Sequence, residues 1–195
     1  EALTKARHEA GERLSHAVME TLAFLDMQKC TFAVQITPSE KYSLLGHDHV
    51  EFFLSANPGE APKPLAKIAS GGELSRIMLA LIHVLSEKDK TDTAIFDEVD
   101  TGVSGATAQK IGVLLKRVSR KMQVLCVTHL AQIAAMADRH LFISKSSDGA
   151  KTFTRVEALD EAARRKELAR IIGGTVISES TLKTADELIL EGKKI

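Results

Sequence analysis

The strongest constraint on the fold is an alternation of short apolar runs and amphipathic stretches through the middle of the chain. The apolar runs at 93–96 and 123–127 are four and five residues long, which suits buried strands. Apolar residues recur at helical spacing over 72–86, and 104–118 is also predicted to be helical. Because helices that connect parallel strands produce this alternation, we predict an α/β fold with a mostly parallel sheet flanked by helices.

The flanking regions carry their own strand and helix signals. Residues 31–37 and 50–54 alternate apolar and polar side chains, which predicts two half-buried strands. The segment 57–64 contains three prolines and is predicted to be a loop. The remaining predictions are a short helix at 130–137, a hairpin of strands 140–144 and 152–156, a helix from the cap Asp160 to Gly173-Gly174, and a last helix at about 181–190.

Residues 1–28 are predicted to form one helix, since Gly11 is the only residue there that disfavours helix. Leu3, Ala10, Ala17 and Phe24 recur seven residues apart. This spacing fits the last turns of a coiled coil, and it also fits an ordinary amphipathic helix packed on the core. The chain begins at Glu1 inside this pattern, and we expect it to be part of a longer protein.

The composition limits the classes of function. Lys+Arg and Asp+Glu both number 26, so the net charge is zero and gives no support for strong nucleic-acid binding by this piece. The two cysteines, Cys30 and Cys126, lack metal-ligand spacing and fit a reducing cytoplasm; Cys126 lies in an apolar run and is predicted to be buried. No apolar run approaches the length of a membrane span.

A glycine-rich segment, Ser70-Gly71-Gly72-Glu73, lies where a predicted loop becomes a helix. Ser70 and Glu73 have the spacing of a capping box, which would make the segment purely structural. Adjacent glycines also allow backbone N–H groups to approach an anion, which the helix N-terminus favours. Both interpretations stay open for this motif taken alone.

Polar side chains follow the two central strands. Asp97 and Glu98 end the strand at 93–96, and Thr128 and His129 follow the strand at 123–127. Ligands bind at the carboxyl ends of parallel strands, where one carboxylate can hold Mg²⁺, a second can activate water, and a histidine can donate to phosphate. Solvated acids and histidines are common at strand ends as well, so neither pair decides the matter by itself.

The order and spacing of these motifs resemble the ABC ATPase superfamily. Ser70-Gly71-Gly72-Glu73 is similar to its signature motif, Ile95-Phe96-Asp97-Glu98 to its Walker B strand, Asp100-Thr101-Gly102 to its D-loop, and His129 to its switch histidine. Within the superfamily the longer strings resemble the RecN family of bacterial DNA-repair ATPases, which is related to SMC proteins. These strings are 57–65, 69–76, 96–102, 128–130 and 169–174.

The resemblance implies roles for the motif residues. Glu98 would be the catalytic base, His129 would stabilise charge on the transferred phosphoryl group, and Asp97 would hold Mg²⁺. The residues implied in ATP contact or in coupling two sites are Ser70, Gly71, Gly72, Glu73, Asp100 and Gly102. Residues 1–28 would be the end of the family's coiled coil, and 29–195 the C-terminal lobe of an ATPase head.

The sequence departs from a complete head in one respect, because no Gly-x-x-x-x-Gly-Lys-Ser/Thr phosphate loop occurs in it. We therefore expect its own N-terminal lobe, with that loop, and a second copy of the head as partners. By resemblance DNA is engaged through the full-length protein, without a membrane, in the cytoplasm at the nucleoid. Three different functions also remain open: a transporter ATPase subunit, a non-catalytic coiled-coil dimerisation module, and a DNA-binding module using the basic clusters at 116–121 and 164–166.

Overall fold

The computed structural model describes residues 1–55, 59–68, 71–88, 90–147, 149 and 151–195. Helices and strands alternate through these residues. In chain order they are α1 (Ala2–Phe24), β1 (Thr31–Ser43), β2 (Gly46–Ser55), β3 (Lys63–Pro64), a 3₁₀ turn (Leu65–Lys67), α2 (Gly71–Leu85), β4 (Thr93–Phe96), α3 (Gly105–Val118), β5 (Gln123–Cys126), α4 (Ala131–Ala134), β6 (Leu141–Ser147), β7 (Thr152–Ala158), α5 (Glu161–Gly173) and α6 (Glu179–Lys194).

Strands β4 and β5 form the parallel pair at the centre of the chain. Thr93 pairs with Gln123 and Phe96 with Cys126, so both strands end at the same edge. Helix α3 makes the crossover that a parallel pair requires. Its buried side covers one face of the pair and contributes much of the first core cluster, with Ala108, Ile111, Leu114, Leu115 and Val118.

The expectation of a mostly parallel sheet is wrong for the strands that the structure describes. Strands β1, β2 and β3 form an antiparallel sheet, and β6 pairs antiparallel with β7. The physical reason is the length of the connections. Among the described strands that pair with each other, only β4 and β5 are connected through a helix, whereas β1 and β2 are joined by a tight turn that brings them back side by side.

Helix α1 packs on this antiparallel sheet through a second core cluster. Val18 and Leu22 are fully buried with Phe32 and Leu54 from the sheet. Gly11 permits the closest approach, since a Cβ there would lie 3.2 Å from the Cβ of Val34. The helix ends at Phe24, four residues earlier than predicted, because Asp26 takes a left-handed backbone conformation with φ of 62°.

The heptad positions of α1 face away from this cluster. Leu3 and Phe24 are exposed, and Ala10 is exposed between them. The first turns are tied instead through Arg7, which donates a 2.7 Å hydrogen bond to Asp48 of β2. That ion pair holds the pKa of the Asp48 carboxyl below its ordinary value. One apolar stripe of α1 is therefore buried, whereas the heptad stripe is partly covered, since Ala17 is half-buried and Arg117 lies over the ring of Phe24.

Strands β1 and β2 are longer than the sequence pattern predicts. The ladder continues to the pairing of Ser43 with Gly46, past polar residues that interrupt the alternation. Backbone pairing does not depend on side-chain polarity, and the ring of Tyr42 stacks on His47 near the tip. In the predicted loop 57–64, Asn57 and Pro58 lie outside the described residues, while Lys63–Pro64 forms a short edge strand, a place that proline tolerates.

The C-terminal elements agree with the predictions. The β6–β7 hairpin is present, and the Asp160 side chain accepts a hydrogen bond from Ala163 as the predicted cap of α5. Helix α6 begins at a Ser178–Thr181 capping box and is longer than predicted. Together α4, α5 and α6 form a third core cluster. Among the described helices, none is both long and apolar enough to cross a membrane.

The second cluster gives a test of the α1 contact. Leu22→Ala removes a side chain that is 0% exposed. We expect it to lower the free energy of unfolding by about 2–5 kcal/mol, from lost burial and a residual cavity. Urea unfolding followed by circular dichroism measures the change. Leu190→Ala, at a position that is 57% exposed in α6, is the control; equal losses for the two variants would contradict the packing of α1.

Candidate nucleotide site

The ends of β4 and β5 bring the predicted acids and the predicted histidine to one edge. Asp97 and Glu98 directly follow Phe96, and Thr128 and His129 follow Cys126 by two and three positions. The parallel pairing continues one step beyond the strands, because the Val127 amide donates to the carbonyl of Phe96 at 2.9 Å. The sequence prediction that these side chains share one edge is confirmed by this register.

The carboxylate of Asp100 joins the two strand ends. Its Oδ2 accepts hydrogen bonds from the Thr128 hydroxyl at 2.6 Å and from the His129 amide at 3.1 Å. Nδ1 of His129 lies 3.2 Å from the same oxygen. The Asp100 side chain is 4% exposed, whereas the His129 side chain is 75% exposed. The imidazole is thus anchored through Nδ1 and leaves Nε2 for an external group.

The burial of Asp100 changes what can be proposed for it. The resemblance gave it a part in coupling two sites across an interface. Its side chain is instead directed into the chain, at the loop that carries His129. Its geometry supports the positioning of His129, and the residues that follow it, Thr101 and Gly102, are exposed.

The first turns of α2 pack on the loop that carries the acids. The Ser75 hydroxyl donates to the carbonyl of Asp97 at 2.8 Å. The Arg76 guanidinium donates to the carbonyls of Thr101 at 2.9 Å and Val99 at 3.4 Å. Burial lowers the pKa of Arg76 from its ordinary value. Ser75 and Arg76 were not predicted as site residues; Arg76 could have been found as a lone charge among apolar residues at helical spacing.

The glycines of the signature-like segment make close contact with the same loop. A Cβ on Gly71 would lie 2.3 Å from Oε2 of Glu98, and one on Gly72 would lie 3.0 Å from the carbonyl oxygen of Thr101. A larger residue at position 71 would have to displace the flexible carboxylate of Glu98, whereas one at position 72 would meet the backbone of Thr101. Ser70, the first residue of this segment that was predicted to contact ATP, lies outside the described residues.

The remaining predicted residues lie around this edge. Glu73 is half-buried in the first turn of α2. Gly102 has φ of 72°, and a Cβ there would meet no atom within 4 Å. Glu98 also takes a left-handed conformation, with φ of 58°, which is uncommon for a residue with a long side chain. Such a conformation persists only where surrounding contacts hold it, as the neighbouring hydrogen bonds of Asp97 do.

Asp97 fits the role of a magnesium ligand. Its side chain is exposed, and one carboxylate oxygen accepts the Glu98 amide at 2.9 Å. In the part of the chain that the structure describes, no group of three or more His, Cys, Asp or Glu side chains is arranged to hold a metal. A single carboxylate suits Mg²⁺ that takes its other ligands from phosphate and water.

The sheet face opposite α3 is uncovered. Ile95 and Leu125 are paired across β4 and β5 on this face, and Ile95 is 72% exposed. Val127 extends the same apolar surface towards His129. Exposed apolar patches of this kind mark interaction surfaces, and this one lies directly beside the candidate site.

Comparison with known proteins identifies the family. No protein-family model matches the chain. DNA repair proteins named RecN do match it, among them those of Halalkalibacterium halodurans with 46% identity over 192 residues, Vibrio cholerae with 42% over 189, and Bacillus subtilis with 38% over 208. These alignments cover 96%, 96% and 99% of this chain. The chain belongs to the RecN family. It spans 34% to 36% of the length of these relatives.

Solved structures of SMC heads share the fold of this RecN-family chain. A chain from work on ATP-driven dimerization and DNA-stimulated activation of SMC ATPases superposes with a TM-score of 0.54 and 20% identity, over 89% of this chain and 99% of that one. The Smc head with a coiled coil and joint from Pyrococcus yayanosii superposes with a TM-score of 0.58 and 24% identity, over 80% of this chain and 28% of that one. The predicted α/β fold, with an N-terminal helix, is confirmed, and it is the fold of these SMC heads.

Cys126 gives a test of the electrostatics beside the site. Cys126 was predicted to be buried, and in the structure it is half-buried. Its removal from water, together with the nearby carboxylates of Asp100 and Asp97, raises the pKa of its thiol to about 12. Because the thiolate is the reactive form, we expect native Cys126 to react with iodoacetamide at pH 8 at least about a hundredfold more slowly than an exposed cysteine.

The measurement is mass spectrometry of alkylated peptides over time. Thr175→Cys supplies the exposed reference thiol in the same chain. After unfolding in urea, the two cysteines should react at similar rates. Rapid native alkylation of Cys126 would contradict the described burial and the proximity of the two carboxylates.

Proposed function

We propose that this chain is the C-terminal lobe of the ATP-binding and ATP-hydrolysing head of a RecN-family protein that acts in repair of DNA double-strand breaks. It supplies the signature segment, the Walker B acids, the D-loop and the switch histidine. The observation that carries the proposal is the hydrogen-bonded edge itself. Asp100 ties the His129 loop to the acid loop, and α2 brings Gly71 against Glu98 at the same edge.

Each side chain has a task that its position supports. Mg²⁺, bound with ATP, would neutralise charge on the phosphates, and Asp97 would hold it through its exposed carboxylate. Glu98 would orient the attacking water and accept its proton. His129 would donate from Nε2 to the transferred phosphoryl group while Nδ1 stays on Asp100. Phosphoryl transfer depends mainly on such placement of charge, so separate pieces of protein can share the task.

The uncovered face of β4 and β5 supports an N-terminal lobe as the first partner. Ile95, Leu125 and Val127 form an apolar surface beside the site. The RecN relatives contain about twice as much additional sequence as this chain spans, since it covers 34% of two of them. A lobe that carries the phosphate loop and packs on this face would complete the nucleotide site.

A second copy of the head is the proposed second partner. Gly71 is exposed at the N-terminus of α2, where Ser70 precedes it in sequence. Hydroxyl and backbone donors at this position can cover the γ-phosphate held by another head. ATP would then close two heads together, and hydrolysis would release them. We propose that α1 is the end of the coiled coil, since its heptad residues lie outside the core clusters: Leu3, Ala10 and Phe24 are exposed and Ala17 is half-buried.

The basic clusters do not favour a DNA-binding module within this chain. In α3 and the turn after it, Lys116 pairs with Asp138, Arg117 lies over the ring of Phe24, and Lys121 pairs with Glu87. In α5, Arg165 makes a bidentate contact with Asp186. Charges with intramolecular partners are structural. We therefore propose that DNA is engaged by the full-length protein, in the cytoplasm at the nucleoid.

A transporter ATPase subunit and a non-catalytic dimerisation module are less well supported. A transporter subunit shares the chemistry, but the RecN relatives match 96% of this chain or more. A non-catalytic dimerisation module would not need Asp97, Glu98 and His129 at one edge. ATP-dependent dimerisation followed by hydrolysis separates the proposed ATPase from that module.

The division of the site between two lobes can be tested with purified pieces. We expect this chain alone to show no ATPase activity above background, because the phosphate loop is missing. Addition of the N-terminal lobe of a RecN-family protein should restore turnover, measured by phosphate release. Ile95→Asp should abolish this restoration, since a charge at a 72% exposed apolar position would prevent docking. Robust turnover by the chain alone would refute the division.

The role of Glu98 has its own test in a complete protein that carries this chain. Glu98→Gln keeps the shape but removes the base, so hydrolysis should fall about 10²–10⁴-fold while ATP still closes the heads. Phosphate release and ATP-dependent dimerisation by light scattering measure the two effects. Glu187→Gln, at an exposed position in α6, is the matched control. Wild-type hydrolysis by Glu98→Gln would remove Glu98 from the proposed role.

A further inference from the structure

Helix α4 lies immediately after His129 and is too short to define its own position. It spans Ala131–Ala134, and its first bonds run from Ile133 and Ala134 back to the carbonyl of Leu130. A single turn of helix is not stable by itself. Its neighbours must therefore fix where α4 lies, and with it the backbone that leads back to His129.

Two glycines, one in α3 and one in α6, allow these helices to approach the segment around α4 closely. A Cβ on Gly112 of α3 would lie 3.3 Å from the carbonyl oxygen of Gln132. A Cβ on Gly192 of α6 would lie only 2.6 Å from the carbonyl oxygen of Ala135 and 3.1 Å from Cα of Met136. The neighbours of Gly192 are backbone atoms, which have little freedom to move aside, whereas the atom nearest to a Cβ on Gly112 is Cγ of Met136, at 2.9 Å. Only glycine allows α6 to approach α4 this closely.

Helix α5 adds a polar contact at the C-terminal end of α4. Nη2 of Arg164 donates to the carbonyl of Ala135 at 2.8 Å and to that of Ala134 at 3.4 Å. Last-turn carbonyls have no partner within a helix, and a guanidinium satisfies them and complements the helix dipole. The guanidinium is thus part of the support of α4 and is not a surface charge.

The same surface is closed by apolar packing and by an ion pair. Leu168, Ala169 and Ala185 are fully buried in the cluster that they form with the alanines of α4. Arg165 of α5 bonds Asp186 of α6 through both carboxylate oxygens, at 2.6 and 2.8 Å. Helices α5 and α6 are therefore joined to each other, and we call them the α5–α6 unit. This unit packs on α4, which also contacts α3.

We propose that the α5–α6 unit is a clamp that positions His129 for ATP hydrolysis, with Arg164 and Gly192 as its positioning residues. This inference rests on the proposed function of His129. The imidazole is 75% exposed and contacts Asp100 through Nδ1. Its remaining placement comes from the backbone between Thr128 and α4. Asp100 fixes that segment at one end, and the clamp fixes it at the other.

The expected loss of reaction rate follows from geometry, since a displacement of 1 Å at a reacting group can lower the rate about 10²-fold. In a complete RecN-family protein that carries this chain, Arg164→Met should lower kcat about tenfold. The KM for ATP and ATP-dependent dimerisation should stay near wild type, because Arg164 does not touch the nucleotide edge. Arg164→Lys keeps one charged donor, so its kcat should lie between those of the wild type and Arg164→Met. Lys166→Met, which removes an exposed charge from the same helix, is the control.

Gly192→Ala provides the second variant, with Glu187→Ala as its exposed control in α6. Thermal unfolding of every variant identifies any that is not folded at the assay temperature. If Gly192→Ala does not fold, the Arg164 series decides the inference. Loss of kcat together with a proportional rise in KM in folded variants would indicate general damage and overturn the clamp.

The decisive measurement combines each variant with His129→Ala. If the clamp acts through His129, the double variants should have the kcat of His129→Ala alone. An additional tenfold loss in the double variants would overturn the inference, since Arg164 would then act elsewhere. If His129→Ala lowers kcat and the clamp variants do not, only the clamp fails. If His129→Ala itself leaves kcat unchanged, the proposed role of His129 and the clamp both fail.

Discussion

The site depends on one buried carboxylate. Asp100 is 4% exposed, and a carboxylate is costly to remove from water unless donors surround it. It gains three contacts, from the hydroxyl of Thr128 and from the amide and imidazole of His129. Because these donors belong to the segment after β5 and Asp100 to the segment after β4, one interaction joins the two strand ends. The acids and the histidine are therefore held together before any ligand binds.

Other elements contact the segments on both sides of this carboxylate. Helix α2 touches the acid loop through Ser75 and Arg76, and Arg164 of α5 contacts the end of α4, which follows the histidine loop. The face that carries Ile95 and Leu125 remains uncovered. An apolar surface beside this polar edge is what the N-terminal lobe that we propose would need in order to pack here. The membership of the RecN family and the SMC-like fold agree with this division of parts.

Much of the fold could be predicted, and the failures have a common cause. The cap Asp160, the strand at 93–96 and the helix over α3 follow from local signals that the structure preserves. The mostly parallel sheet was wrong because strand direction is decided by which strands meet, and periodicity within one strand carries no such information. The sequence analysis singled out the heptad residues of α1, whereas the residues of this helix that are buried in the core are the neighbouring Val18 and Leu22.

The sequence by itself determined most of the elements and the family, and it named the candidate residues of the site, because short-range spacing and residue type are properties of the chain alone. Only the tertiary structure decided what those residues contact. It turned Asp100 inward, set Gly71 against Glu98, and placed α4 between Gly112 and Gly192. Residues far apart in the chain come together through packing and strand register, and a pattern read along the chain does not encode those distances.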